Sequence, residues 1–205
     1  MHVRVPQEFA RAVVAREGEA GASFVEGLPG VVSGLARRWG LRQDGPVLHG
    51  QVAVVVLVVL DDRTPAALKV SWRDDETRPE ATPLRRWAGV GAVRLLDEDA
   101  EAGALLLERL EPQRTLEEVP LDAALAVAAA LLRELHVGPV PGVPLPRDKA
   151  AATAARVESW AADAGGDGRS GRSTRRRRVG LVARAVEQLR SAGATPSADV
   201  LLHDA

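Results

Sequence analysis

Apolar positions along this chain change their period from one segment to the next. Val52 to Leu60 is nearly all branched and apolar, with no polar face of helical width, which predicts a buried strand. Asp61-Asp62-Arg63-Thr64-Pro65 supplies turn chemistry, and Ala66 to Trp72 predicts the returning strand of a hairpin. Ala92 to Leu96 and Ala104 to Leu110 predict a second hairpin around the acidic turn Asp97-Glu98-Asp99. Between the hairpins, Leu84, Trp87 and Ala88 follow an i, i+3, i+4 pattern behind the acidic Asp74 to Glu76, which predicts a helix over 75–87. Pro79 and Pro83 predict that it is kinked or starts late, because a proline lacks the N–H and clashes with the preceding turn.

The flanks read as helical. Helices are predicted over 8–16 and 31–39, separated by a glycine-rich break at Gly18 to Gly21. Beyond Leu121 the residues Leu121, Leu125, Leu132 and Leu135 share one helical face, and Gly138-Pro139 ends that segment. A proline-rich connector over 139–146, a helix over 150–164, a Gly/Ser/Arg-rich loop over 165–174 and a helix over 179–192 complete the pattern. A sheet-rich first half and a helical second half define an α+β chain, with a boundary near 111–120. The segments read as an N-terminal helical part over 1–40, a sheet-bearing lobe over 41–115 and a helical part over 116–205. No fixed internal period suggests a solenoid.

Composition narrows the chemistry. The 205 residues are 46% hydrophobic and only 3% aromatic, so the core is aliphatic. Without cysteine there are neither disulfides nor thiolate zinc sites. His2, His49, His136 and His203 lack metal-ligand spacing. The longest apolar run is too short for a bilayer and the first residues carry no hydrophobic signal segment, so a cytoplasmic location without membrane partner is expected. A net charge of −1 gives no field that would gather nucleic acid. The run Arg175 to Arg178 would suit phosphate contacts, but no aromatic residue interleaves it, and a solvated loop entering a helix explains it.

Against this background Lys69 stands out. Only two of the 27 basic residues are lysines, and this one lies in the middle of an apolar strand, where an ammonium needs a partner. A lysine is a compact charge on a flexible stem, suited to reaching phosphate oxygens. Glu80 follows eleven residues later at the predicted helix, and a strand ending Leu106-Leu107-Glu108-Arg109-Leu110 comes next. That order suits phosphoryl transfer from ATP, in which a helix glutamate fixes the rotamer of a strand lysine that holds phosphates. Asp44 to Gly50, with Gly45 and Gly50 permitting close backbone approach, is a candidate nucleotide-covering loop. The chain lacks the Gly-Lys-Ser/Thr of a P-loop and the glycine spacing of protein kinases.

Val70-Ser71-Trp72, Glu76-Thr77-Arg78, Leu84-Arg85-Arg86-Trp87, Gly91 to Leu96 and Ala104 to Leu110 together resemble the aminoglycoside/hydroxyurea resistance kinase family, over about 24–203. The resemblance implies a protein-kinase-like α+β fold: an antiparallel N-lobe sheet with a packed helix, and a helical C-lobe that is incomplete here. It implies an ATP-dependent phosphotransferase acting on an alcohol group of a small molecule such as an aminoglycoside. Lys69 then corresponds to the phosphate-contacting lysine, Glu80 to its partner, and Glu108 to Leu110 to the hinge whose backbone meets adenine. Leu201-Leu202-His203 resembles the start of the catalytic loop, which makes Asp204 the candidate catalytic base. The family's glycine is missing before Asp204 and the chain stops at Ala205, so the Mg2+ ligands are expected beyond the chain end. Two readings follow: a kinase represented by its first part, or a catalytically inactive nucleotide-binding or interaction protein. For the 205 residues taken alone, no turnover is expected.

Overall fold

The branched run forms a strand buried on both faces, and the rest of the lobe is arranged around it. The computed structural model describes residues 1–74, 77–111, 115–135, 148 and 150–157. Five strands, β1 (Arg42–His49), β2 (Ala53–Val59), β3 (Pro65–Ser71), β4 (Leu95–Asp99) and β5 (Ala104–Glu108), make one sheet in the order β1-β2-β3-β5-β4. Every neighbouring pair is antiparallel. Helix α1 (Gln7–Arg38) precedes the sheet, α2 (Ala81–Trp87) lies between β3 and β4, and a 3-10 turn (Leu116–Glu118) leads to α3 (Leu121–Leu135).

The alternation of a strand assigns its side chains to two faces. Val54, Val56 and Val58 of β2, Ala66, Leu68 and Val70 of β3, and Ala104 and Leu106 of β5 form one core with Phe9, Val13, Leu28, Val32, Leu35 and Ala36 of α1. Each large side chain fully buried there contributes about 1.5–3 kcal/mol. In the pleat of β3, Lys69 alternates with Leu68 and Val70, so it points to the face away from that core.

Helix α1 departs from the expectation of two short helices. The chain breaks at Gly18, whose φ of 63° is accessible to glycine at little cost, and is helical again from there to Arg38. The break expected at Gly18 to Gly21 is confined to Gly18, and residues 19–30, between the two expected helices, are helical despite Gly27 and Pro29. The periodic row Phe24, Leu28, Val32, Leu35 and Ala36 packs on the sheet, and this burial outweighs poor local propensity. Gly21 sits where the two segments of α1 meet: a methyl group there would lie 2.7 Å from the Val13 carbonyl oxygen.

The hairpin of β2 and β3 matches the sequence pattern to within a residue or two. Its turn is held by the Thr64 N–H, which donates to Asp62 Oδ1 at 2.9 Å. The bonds from the Thr64 backbone and hydroxyl hold the Asp62 carboxyl below its ordinary range. The second hairpin differs. Asp97, Glu98 and Asp99, expected as the turn, belong to β4, whose ladder with β5 has an irregularity between Leu95 and Asp97; the turn lies at 100–103. An edge strand tolerates acidic side chains because one side faces water.

The chain divides into two compact units, Met1–Leu132 and Arg133–Ala205. In the second, residues 150–157 are helical and Ala154 is buried. Leu121, Leu125 and Leu132 of α3 are exposed. The connector over 139–146, residues 158–164 of the helix expected over 150–164, the loop over 165–174, the helix over 179–192 and the arginine run lie outside the described residues.

Two glycines of α1 separate packing from propensity. Gly27 faces open space, whereas Gly21 is enclosed. Gly27→Ala is expected to raise stability by about 0.5–1 kcal/mol and Gly21→Ala to lower it by about 1–3 kcal/mol, read from urea unfolding midpoints.

Candidate nucleotide-phosphate site

Helix α2 begins later than its apolar pattern suggested because of its prolines. Pro79 stands ahead of it, and Pro83 occupies its first turn, where the missing N–H would have no helical partner. The residues from β3 to α2 are folded onto one threonine. The Thr77 hydroxyl donates to the Trp72 carbonyl at 2.5 Å and accepts from the Asp74 N–H at 3.0 Å, while the Thr77 N–H donates to Asp74 Oδ1 at 2.8 Å. The Glu80 N–H then donates to the Thr77 carbonyl at 3.3 Å. This reciprocal Asp-x-x-Thr arrangement turns the chain back over the sheet and delivers Glu80 at the head of α2.

There the Glu80 carboxylate accepts a hydrogen bond from the Lys69 ammonium. The glutamate side chain is 10% exposed and the lysine 23%, so the pair is shielded on one side and open on the other. Lys69 stands between Val55 of β2 and Leu105 of β5 in the ladder, which flanks its stem with apolar side chains. The pairing satisfies one of three ammonium donors and selects one rotamer, leaving the rest of its hydrogen-bonding capacity for an anion. Ala81, Leu84 and Trp87 bury the inner face of α2, and Arg85 reaches Glu98 of β4 at 2.5 Å, so the helix that carries the glutamate is anchored to the sheet.

Other candidate residues take different places. Asp44 to His49 belongs to β1 rather than to a loop; Gly45 falls at an irregularity of that strand, where a side chain would press on Leu57 at 3.0 Å. Packing therefore accounts for Gly45. Gly50 lies in the turn between β1 and β2, where a side chain would meet nothing, and its N–H donates to the Ala53 carbonyl at 3.0 Å. Glu108 ends β5, an interior strand, and its carboxylate accepts from the Arg94 N–H at 2.8 Å. Leu110 follows beyond the ladder, 64% exposed. Asp204 lies outside the described residues. Among the described residues no cluster of three or more histidine or carboxylate groups could hold a metal ion.

Two features escaped the sequence pattern. Asp74 and Thr77 carry a local signal in their capping spacing, beyond the acidity that marks a helix start. The ion pair of Arg109 with Asp44 at 2.6 Å ties the end of β5 to β1 across 65 residues, and no local pattern announces it.

A five-stranded antiparallel sheet whose central lysine is paired to a glutamate at the head of the helix between its third and fourth strands has the architecture of an α+β, kinase-like fold. The chain belongs to the aminoglycoside/hydroxyurea antibiotic resistance kinase family, whose model matches residues 38–204. It is 46% identical over 136 residues to a hydroxyurea phosphotransferase of Kitasatospora aureofaciens, covering 65% of this chain and 40% of that protein. Streptomycin 6-kinases of Streptomyces griseus and Streptomyces glaucescens are 43% and 40% identical over 141 and 140 residues, each match covering 68% of this chain and 46% of the relative. The chain thus spans less than half the length of these relatives in the matched regions. No solved structure matches it. The fold is α+β and kinase-like, as the resemblance implied.

Removing one member of the pair leaves a half-shielded charge without its partner. Glu80→Leu is expected to destabilise the lobe by about 1–3 kcal/mol, and adding Lys69→Met to restore most of the loss, since two apolar groups leave no charge to desolvate. A double-mutant cycle in urea unfolding measures this; a double variant no more stable than Glu80→Leu would show that packing, not charge, sets the cost.

Proposed function

We propose that this chain is the nucleotide-binding part of an ATP-dependent phosphotransferase that acts on a hydroxyl group of a small molecule, with a streptomycin-like aminoglycoside or hydroxyurea as acceptor. The single observation that carries the reading is the pairing of Lys69 with Glu80 on the sheet face opposite the α1 core. The relatives' names, streptomycin 6-kinase and hydroxyurea phosphotransferase, supply the acceptor classes.

In this reading the free donors of the Lys69 ammonium meet phosphate oxygens of ATP, and Glu80 keeps that ammonium charged and extended toward them. The cost of ordering a four-carbon stem is met on folding, so the charge is in place before nucleotide arrives. The turn after Gly50, whose own N–H is engaged by the Ala53 carbonyl, approaches the phosphates through its other backbone N–H groups, and the main chain from Glu108 to Leu110 meets the adenine edge. Mg2+ would supply neutralisation of the phosphate oxygens and alignment of the transferred group. Dependence on the cellular ATP pool makes the cytoplasm the place of action.

The test is transfer of the γ-phosphate of ATP to streptomycin and to hydroxyurea by a version of the chain extended to the full length of these relatives. Lys69→Ala is expected to lower kcat/KM by at least about a hundredfold, the scale for loss of a preorganised charge at a transferring group. ATP binding without transfer to either acceptor would favour the nucleotide-binding or interaction protein, and unchanged kcat/KM in Lys69→Ala would remove the role given to that lysine.

A further inference from the structure

Helix α1 does more than cover the sheet: both of its segments converge on the end where β1 turns into β2. From the first segment, Arg16 Nη1 donates to the Gln51 carbonyl at 3.2 Å, with the Glu17 carboxylate holding Arg16 Nε at 2.6 Å. The buried Phe9 ring lies 6.0 Å from that of His49, the last residue of β1. From the second segment, Phe24 meets Phe9 edge-on at 6.5 Å and Trp72 edge-on at 5.4 Å. Trp72 closes the circle, because its N–H donates to the Val52 carbonyl at 2.7 Å. Thus His49, Gln51 and Val52, on either side of and within the turn, are each held through a chain of contacts that begins in α1. The break at Gly18 redirects the helix, so residues 9 and 16 before it and residue 24 after it address the same place.

A backbone turn that covers phosphates works only at a definite height above the sheet, since its N–H groups must reach oxygens within hydrogen-bond distance. Gly50 itself has open space around it and cannot set that height by packing. The ladder constrains the strands on either side, but the Gln51 carbonyl projects from the turn and is met by Arg16.

We propose that Arg16 is a positioning residue, which with Phe9 and Phe24 holds the β1–β2 turn in place over the nucleotide phosphates and so makes α1 a determinant of nucleotide affinity. The proposal rests on the phosphate-site reading above. Arg16 touches no reacting group in this scheme; it acts through the Gln51 main chain. Its influence is therefore selective for nucleotides that carry phosphates.

Calorimetric titration of the chain with ATP and with adenosine tests this, in about 0.5 M salt so that the long-range field of an arginine is screened. Arg16→Met, which keeps the aliphatic stem, is expected to weaken ATP binding about three- to tenfold while leaving adenosine within twofold, and Arg16→Lys to recover most of the loss. Unchanged ATP affinity in Arg16→Met would overturn the proposal, as would an equal loss for ATP and adenosine, which marks a general structural defect. Lys69→Ala in the same titration separates the two levels of inference. If it leaves ATP affinity intact, the phosphate-site reading fails and the proposal falls with it; if only Arg16→Met is without effect, the site stands and α1 has no part in it.

Discussion

A single ammonium on the middle strand of an apolar sheet constrains everything near it. Lys69 stands on a strand built otherwise of alanine, leucine and valine at its centre, on the face opposite the α1 core, and its side chain is only 23% exposed. A charge there is costly without a partner. The chain meets that cost with Glu80, and bringing Glu80 within reach requires the Thr77 turn, the short α2 and its anchoring through Arg85 to β4. The features from β3 to β4 are thus parts of one solution to one electrostatic problem.

The two faces of the sheet divide the labour. Against one, α1 buries Phe9, Val13, Leu28 and Val32 on the valine and leucine rows of the central strands, which makes that side rigid. The other carries the Lys69 and Glu80 pair and is left partly open, which suits a ligand. Preorganised charge depends on such rigidity: a lysine held by a packed strand and a paired carboxylate loses little freedom when an anion arrives. Membership of the resistance-kinase family is consistent with this division, since phosphoryl transfer depends mainly on positioning and charge.

Much of this was legible in the residues. The hairpin of β2 and β3 followed from a branched apolar run bounded by Asp61 to Pro65, and the pairing of Lys69 with Glu80 from one lysine in an apolar strand and one glutamate beside a helical pattern. What was misread shares a cause. Residues 19–30 contain Gly21, Gly27 and Pro29, which disfavour a helix locally, and Asp97 to Asp99 look like a turn. In both places packing or pairing with distant residues decided the matter: the sheet beneath α1, and β5 beside β4.

The sequence by itself determined the strands β2, β3 and β5, the lysine and its glutamate, and the late start of α2, because apolar period, charge and the missing N–H of proline act within a few residues of one another. Only the tertiary structure decided that Gly45 serves packing against Leu57 while Gly50 forms the turn, that Arg109 ties the end of β5 to β1, and that Arg16, Phe9 and Phe24 meet at one end of the sheet. Those contacts join residues far apart in the chain, and their geometry is set by how a bent helix lies on a sheet, which no local pattern encodes.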